Sequence, residues 1–312
     1  MLSYLLRRLL YAVPILIGVS ILTFGMFYMV KSPRQLAKQN LGKNPTDEQV
    51  QVWLQEHGYD KPLGEQARKH IGELLMLKFG KSDTSDERVW DKIGNGAGPS
   101  LALAVPMFFA SALAAVSLAL FAAYFRGTYL DYWGVFFCVL LMSINYVLYF
   151  VAGQYIFARL LRIYPLAGYA QGWDALRFVA LPGLVGVVAG LGGAIRYNRA
   201  AFLEEMHQDY VRTARSKGVA EAKILFTHVL KNAATPILTS LVLSIPFLFM
   251  GNLLLESFFG IPGLGSMTVD AINSGDFAVV RAMVFLGTLA YIAGNILTDV
   301  SYALVNPRVR LE

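Results

Sequence analysis

Polar side chains lie within or beside segments that are otherwise apolar, among them Asn145, Gln154, Asn252 and Glu256. A hydrogen-bonding or ionisable group is costly inside a lipid bilayer, so such residues are candidates for contact with a polar solute. We therefore predict that these side chains line a translocation path. For Glu256, a solvated loop or a partner at a helix end is an equal alternative. A proton relay would need several acids aligned at mid-depth, and the sequence lacks that pattern, which disfavours a proton-coupled carrier.

The segment 209–231 is basic and helix-prone, and it lies between two apolar runs. Gly218 divides it into two halves, because glycine permits φ > 0 and a sharp reversal of the chain. The second half, 220–231, is amphipathic. A helix–glycine–helix of this kind could dock in a groove of a soluble partner, which would then be able to move the membrane part. The alternative is a basic helix that rests on anionic lipid headgroups.

Residues that could support covalent or metal chemistry are scarce. The run Phe79-Gly80-Lys81-Ser82 looks like the end of a nucleotide-binding loop, but the glycine required five positions before Gly80 is Leu75. The single cysteine, Cys138, falls in an apolar run and offers neither an internal disulfide nor a metal cluster. We therefore predict that the chain is not an enzyme and holds no metal or cofactor of its own.

Membrane helices are the elements that must position these residues. The chain has 312 residues, of which 56% are hydrophobic and 15% are charged, whereas about 25% is usual for charged residues in soluble domains. Its apolar segments are each about 20 residues or longer, enough to cross a hydrocarbon core of about 30 Å. Six are recognisable, at residues 9–30, 100–125, 133–160, 175–195, 235–255 and 279–305. The sequence thus predicts an all-α integral membrane protein with six transmembrane helices.

Lysine and arginine set the orientation of these spans. Most of the basic residues in the short loops and at the ends fall on the side of the N-terminus, which the positive-inside rule places in the cytoplasm. With six spans, both termini are then cytoplasmic. The formal net charge of +6 follows from this rule and does not require nucleic acid as a partner.

The chain divides into three predicted regions. Residues 1–30 form an N-terminal signal-anchor helix without a small-residue cleavage site. Residues 31–98 form an external loop that is too long to be structureless, and helix signals at 46–56 and 65–79 predict two or three short helices that make a small external cap. Residues 99–312 form a five-helix core. It carries a cytoplasmic loop at 197–234 and an external re-entrant loop at 257–278, with a short helix near 267–273.

The stretch YVRTARSKG resembles the coupling-loop signature of the permeases of ABC importers, and it is most similar to the dipeptide, oligopeptide and nickel branch. The general pattern is Glu-Ala-Ala, three residues, then Gly. Arg212-Thr213-Ala214 occupies the first three places and Gly218 the last; Arg for Glu and Thr for Ala depart from the general pattern but suit this branch. The resemblance implies that an ATPase contacts Tyr210, Arg212, Thr213, Ala214, Arg215, Lys217 and Gly218.

Further stretches extend the resemblance over nearly the whole chain. They are the run 6–10 (LRRLL) with Pro14 and 18–20 (GVS) in the first helix, Arg126-Gly127-Thr128 with Asp131, the run 164–169 (YPLAGY), the run 260–265 (GIPGLG) and the run 306–310 (NPRVR). Two places differ from the branch: the first span ends in Lys31-Ser32-Pro33-Arg34, and Ser143-Ile144-Asn145 lacks the usual proline. Both lie near the external mouth or the path, so they bear on the substrate more than on the fold.

The resemblance implies a type I ABC-importer permease in a bacterial cytoplasmic (inner) membrane. Its partners would be a second homologous permease subunit, two cytoplasmic ABC ATPase subunits that hold the ATP and Mg²⁺, an extracytoplasmic substrate-binding protein and membrane lipid. Di- and oligopeptides are the expected cargo, with nickel complexes, glutathione or oligosaccharides as alternatives. A stand-alone secondary carrier would need coupling-ion ligands or an inverted repeat with broken helices. A third possibility is a scaffold subunit without a path of its own.

Overall fold

A computed structural model describes the backbone of residues 2–30, 32–42 and 45–305. The run 306–310 and Lys31, on which part of the resemblance rests, lie outside the described residues, as do both chain ends. The helices are α1 (Leu2–Val30), α2 (Pro33–Leu41), α3 (Asp47–His57), α4 (Leu63–Leu75), α5 (Val89–Tyr124), α6 (Tyr129–Ser143), α7 (Tyr146–Gly153), α8 (Ala175–Met206), α9 (Asp209–Ser216), α10 (Glu221–Ile224), α11 (Leu230–Leu248), α12 (Leu253–Phe259), α13 (Leu264–Ser274) and α14 (Phe277–Val305).

Helix dominates the described part of the chain. Its only β pairing is an isolated antiparallel bridge between Lys81 and Arg88, so the all-α prediction is confirmed. Within the residues that the structure describes, five helical stretches are long and apolar enough to cross a membrane. A sixth span is obtained if α6 and the helix that follows it, which bend by 92° at their junction, are counted as one broken span.

The predicted span over 133–160 is therefore broken into two helices instead of being one straight helix. Helix α6 ends at Ser143, Ile144 takes an extended conformation, and Asn145 begins a new helix as its N-cap. The Asn145 Oδ1 accepts a hydrogen bond of 2.9 Å from the backbone N–H of Val147. Asparagine favours this position because its side chain satisfies a donor that the first turn leaves unpaired. The new helix runs through α7 and continues as a π-helical segment, Gln154–Leu160.

The fifth predicted span, 235–255, also ends early. Helix α11 stops at Leu248, and α12 starts again after Asn252, whose Oδ1 accepts from the backbone N–H of Leu255 at 3.1 Å. The short helix predicted near 267–273 is confirmed as α13, which begins a few residues earlier at Leu264. In both broken regions an asparagine starts the second helix.

The described residues fall into two compact units, one built from residues up to 97 together with 267–296, the other from 98–266 and from 297 onward. In the first unit, α2, α3 and α4 confirm the short helices predicted between the first two spans. Reciprocal capping boxes start α2 (Ser32 with Gln35) and α3 (Thr46 with Gln49). Within this unit, α1 packs against α4.

Among the described residues, two apolar cores belong to the second unit. The first joins α5, α6, α8, α9, α10 and α11; the second joins α5, α7, α8 and α12. The members of the first core are Ala119, Leu120, Ala123, Cys138, Ile195, Phe202, Met206, Val211, Ala214, Ile224, Leu225, Val229, Ala233 and Ile237. Because α9 contributes to this core, the segment predicted to couple to a partner is packed onto the membrane helices.

Candidate functional site

Helix α9 has one buried and one exposed face. Val211 is fully buried and Ala214 is nearly so, whereas Arg212, Thr213 and Lys217 are exposed. Residues three apart share a face of a helix, which places Val211 and Ala214 together. The exposed face is polar and basic, and the buried face holds the helix against the rest of the unit.

The helix ends in a tight turn at Gly218. The backbone N–H of Val219 donates to the Ala214 carbonyl at 3.2 Å, and that of Gly218 donates to the Arg215 carbonyl at 2.9 Å. This pair of bonds is the Schellman motif, which needs a left-handed residue at its centre; Gly218 supplies it with φ of +72°. A Cβ at Gly218 would meet no atom within 4 Å. The glycine is therefore required for its backbone conformation and not for space.

Arg215 closes this turn onto the next helix. Its guanidinium donates two hydrogen bonds to the Glu221 carboxylate, Nε to Oε2 at 3.0 Å and Nη2 to Oε1 at 2.6 Å. The bonds from Arg215 lower the pKa of Glu221, and those to Glu221 raise the pKa of Arg215. Both side chains are about one third exposed, so the pair contributes at most about 1 kcal/mol. Its role is to fix the direction in which the chain leaves the turn.

Tyr210 connects α9 to the helix before it. Its hydroxyl donates to Glu205 Oε2 at 2.7 Å, and burial, together with this hydrogen bond, raises the pKa of Tyr210 to about 12. The residues of the predicted coupling signature thus have two positions. Tyr210, Ala214 and Arg215 face the protein, whereas Arg212, Thr213, Lys217 and Gly218 are exposed.

An ion pair beside this segment, which we call the clamp, was not predicted from the sequence. Asp131, near the start of α6, and Arg199, on α8, form a two-bond ion pair with distances of 2.9 Å (Nε–Oδ1) and 2.8 Å (Nη2–Oδ2). Asp131 is buried and also accepts from the backbone N–H of Gly127 at 3.1 Å. The two residues lie 68 positions apart, so only the occurrence of an acid and a base in mostly apolar segments could have indicated the pair.

The four predicted path residues lie at the ends of two helices that pack together. Asn145 caps α7, and Gln154 follows it and donates to the Leu166 carbonyl at 2.9 Å. Asn252 caps α12, which contains Glu256. Helices α7 and α12 contact one another and α8 through Phe150, Leu255 and their neighbours. The Asn145 side chain is exposed, and those of Gln154 and Asn252 are partly exposed.

Glu256 differs from the other three because it is fully buried. Its Oε1 accepts from the Ser100 hydroxyl at 2.8 Å and the Asn252 N–H at 2.9 Å; its Oε2 accepts from the N–H groups of Gly265 at 2.8 Å and Ser266 at 3.2 Å. Protein donors therefore occupy both oxygens. This geometry favours the helix-end alternative for Glu256 over direct contact with a solute.

Two glycines allow the loop to approach this carboxylate and the backbone at Asn252. A Cβ at Gly263 would lie 2.2 Å from Glu256 Oε2, and one at Gly265 would lie 2.7 Å from the Asn252 carbonyl carbon. The Ser100 hydroxyl also accepts from the backbone N–H of Leu264 at 2.7 Å. Glu256 and Ser100 together anchor the loop of the GIPGLG run.

The chain matches two family models along its length. Residues 115–311 match the binding-protein-dependent transport system inner membrane component, and residues 1–104 match the N-terminal part of the membrane component of such systems. The chain belongs to this permease family. It is 31% identical over its whole length to the glutathione transport system permease protein GsiC of Salmonella paratyphi A, all of which is covered. It is also 31% identical to the di/tripeptide transport system permease protein DppB of Pseudomonas aeruginosa, with 99% of each chain covered.

These matches confirm the resemblance to the dipeptide and oligopeptide branch of ABC-importer permeases. The permease is a multi-pass protein of the inner membrane and a component of a transport system that depends on a binding protein. Its family is a transport component and not itself a catalyst. Across the ranges that the structure describes, no group of three or more His, Cys, Asp or Glu side chains is arranged to hold a metal ion.

Proposed function

We propose that this permease forms half of the translocation path of an ATP-driven importer for di- and oligopeptides. A second homologous permease supplies the other half, two cytoplasmic ABC ATPase subunits bind ATP and Mg²⁺, and an extracytoplasmic protein delivers the cargo. The observation that carries the proposal is helix α9, whose exposed face is basic and polar while its buried face is part of the core of the membrane helices.

This arrangement supports a mechanical role for α9. Val211 and Ala214 pack in one core with Phe202 of α8 and Ile224 of α10, and that core extends to α5, α6 and α11. Protein cores are close-packed and transmit displacement instead of absorbing it. A partner that grips Arg212, Thr213 and Lys217 and moves would therefore displace several membrane helices together. Closure of the ATPases on ATP would switch the path outward, and hydrolysis would reset it.

The names of the relatives support short peptides as the cargo. One is named for di- and tripeptides and the other for glutathione, which is itself a tripeptide, although one of its peptide bonds runs through a side chain. Both names converge on short peptides. They give no support to nickel complexes or oligosaccharides as the cargo. A stand-alone carrier is disfavoured because both relatives are named as parts of transport systems.

The ends of α7 and α12 are the proposed contacts of the path. Asn145 and Asn252 each start a helix in a broken segment, and Gln154 lies where α7 becomes π-helical. Broken membrane helices place polar backbone groups at a depth where they can meet a polar solute. Glu256 stabilises this region, because its carboxylate binds the loop that follows α12. With positive-inside orientation, both termini and α9 lie on the cytoplasmic side.

The complex itself tests the proposal. We would purify the chain from its native membrane in mild detergent, identify the proteins that accompany it and measure ATP hydrolysis with and without the binding protein. We expect a second permease, nucleotide-binding ATPases and hydrolysis that the loaded binding protein stimulates. The ligand of that binding protein would identify the cargo. Recovery of the chain alone, with no ATPase after gentle crosslinking, would contradict the proposal.

A charge reversal sharpens this test. Arg212→Glu changes an exposed residue of the α9 face (its side chain is 73% exposed), whereas Lys231→Glu makes the same change at an exposed residue outside the signature. We expect the first variant to lower ATPase recovery or stimulated hydrolysis and the second to leave both unchanged. Equal ATPase recovery and equal stimulated hydrolysis in the two variants would show that α9 is not the docking site.

A further inference from the structure

A cavity of about 200 Å³ lies within the first unit, where the second half of α1, helix α4 and the first turns of α14 converge. Aromatic rings form one wall. Phe27 stacks on Tyr59, with ring centroids 6.0 Å apart, and meets Phe277 edge-on at 5.4 Å; Phe24 lies beside His70 at 5.5 Å. This wall suits an apolar chain.

Arg281 of α14 also lines the cavity, beside His70. Its Nη2 donates to the Phe79 carbonyl at 3.4 Å, and its Nη1 lies 3.5 Å from His70 Nδ1. Its Nε is buried and has no hydrogen-bond partner among the described residues. Buried donors are almost always paired in folded proteins. An acceptor atom of a ligand in the cavity would supply the missing hydrogen-bond partner of Arg281 Nε.

His70 does not add a second positive charge. Burial, reinforced by the charge of Arg281, lowers the pKa of His70 to about 4, so the ring is neutral at physiological pH. A neutral ring can accept from Arg281 at Nδ1 and donate from Nε2 to the Thr23 hydroxyl, 3.5 Å away. His70 therefore holds Arg281 in place, and the guanidinium carries the positive charge.

Other charged groups complete a polar mouth. Lys69 of α4 is exposed and Glu73 is partly exposed, and both line the cavity. Asp83 also lines it, but one of its oxygens already accepts from the backbone N–H of Ala278 at 2.9 Å. The mouth thus offers cationic donors from Lys69 and Arg281, with Glu73 close by as a partner for a positive group.

The rim of the cavity is apolar and belongs to membrane helices. Leu22 and Met26 of α1 are 60% and 53% exposed, and Val284 of α14 is 39% exposed. Both helices are long and apolar enough to cross a bilayer. Side chains of this kind on a membrane helix face acyl chains. A peptide would leave this rim uncovered, whereas a lipid would cover the rim and reach the polar mouth together.

We propose that this cavity is a phospholipid site. The acyl chain lies along Leu22, Met26 and Val284 against the aromatic wall. The phosphate accepts from Arg281 Nε and from Lys69, and a headgroup ammonium, where the lipid has one, pairs with Glu73. This proposal is independent of the proposed cargo and of ATP coupling. Its test measures lipid retention and requires no transport, so it can fail while the proposed function stands.

Native mass spectrometry of the intact complex, purified in mild detergent, tests the site. We expect retained phospholipid on the wild-type protein and about tenfold weaker retention in Arg281→Gln, since a hydrogen bond to a charged group is lost. Val280→Phe, which places a larger side chain at the cavity wall, should lower retention as well. Arg177→Gln is the matched control: it removes an exposed arginine from α8, in the other unit, and should retain the lipid.

Lipid addition to delipidated complex separates the possible occupants. We expect phosphatidylethanolamine or phosphatidylglycerol to raise the unfolding temperature of the wild-type complex more than that of Arg281→Gln. If diacylglycerol raised the unfolding temperature as much as a phospholipid does, recognition of the phosphate would be overturned. If inorganic phosphate alone raised it, the need for an acyl chain would be overturned. Stabilisation by a dipeptide instead of a lipid would assign the cavity to the cargo. Unchanged retention in both Arg281→Gln and Val280→Phe would overturn the site.

Discussion

Two turns of the second unit both contain glycine but differ in their surroundings. The turn at Gly218 has a left-handed residue, an open exterior and exposed polar neighbours. In the turn at Gly263 and Gly265, the buried carboxylate of Glu256 leaves no room for a side chain at Gly263, and the backbone at Asn252 leaves none at Gly265. The first turn needs glycine for its backbone angle and the second for space. An open turn can receive a partner, whereas a filled turn fixes the structure.

The largest effects should come from the filled turn. Glu256→Ala would leave the Ser100 hydroxyl and several backbone N–H groups without their acceptor, at about 1–3 kcal/mol for each buried group. We expect the purified complex to lose at least ~3 kcal/mol of stability and to unfold at a lower temperature. Gly263→Ala should be similarly damaging because its Cβ would overlap Glu256. If both variants unfolded at the wild-type temperature, the carboxylate would not be what holds this loop.

The clamp next to the open turn should give the next largest effect. Removal of either Asp131 or Arg199 leaves a charge without its partner, and breaking a buried pair costs about 3–5 kcal/mol. Because Arg199 is partly exposed, we expect the lower end of this range. The double variant Asp131→Asn with Arg199→Gln should cost less than the sum of the single changes. Additive losses in chemical or thermal unfolding would mean that the two residues act independently.

The ion pair of the open turn should matter least for stability and should depend on pH only under acid conditions. The pKa of Glu221 is lowered in the folded state by its bonds to Arg215. Its contribution is therefore present above the unfolded pKa, near 4.5, and is lost as the pH falls through the lower folded value. We expect Glu221→Gln to change stability by less than about 1 kcal/mol. A loss that grows between pH 5 and pH 8 would contradict this assignment.

The two turns also show how far sequence reasoning extends. The helix–glycine–helix at Gly218 could be predicted because its signals are local: helix formers, a glycine and basic residues. The network around Glu256 could not, since Ser100 lies 156 residues from Glu256 and their contact depends on packing. The pair of Asp131 and Arg199 was missed for the same reason.

Helix breaks were the other failure of sequence reasoning. Hydropathy alone gave 133–160 and 235–255 as single apolar segments, because a few polar side chains do not end an otherwise apolar run. The deciding residues are Asn145 and Asn252, whose side chains cap the helices that follow. They were predicted only as path residues. A polar residue in a span can have either role, and hydropathy does not distinguish the two.

We propose that the open turn at Gly218 transmits the action of ATP to the membrane helices. ATP-dependent uptake by three variants of the reconstituted importer tests this role. Gly218→Val disfavours the left-handed conformation by about 1–2 kcal/mol, Gly218→Asn tolerates it, and Gly172→Val makes the same change at another open position, with φ of +72°. We predict that Gly218→Val assembles but loses most uptake, while Gly218→Asn and Gly172→Val retain it. Wild-type uptake in Gly218→Val, at normal levels of complex, would show that this turn does not transmit the action of ATP.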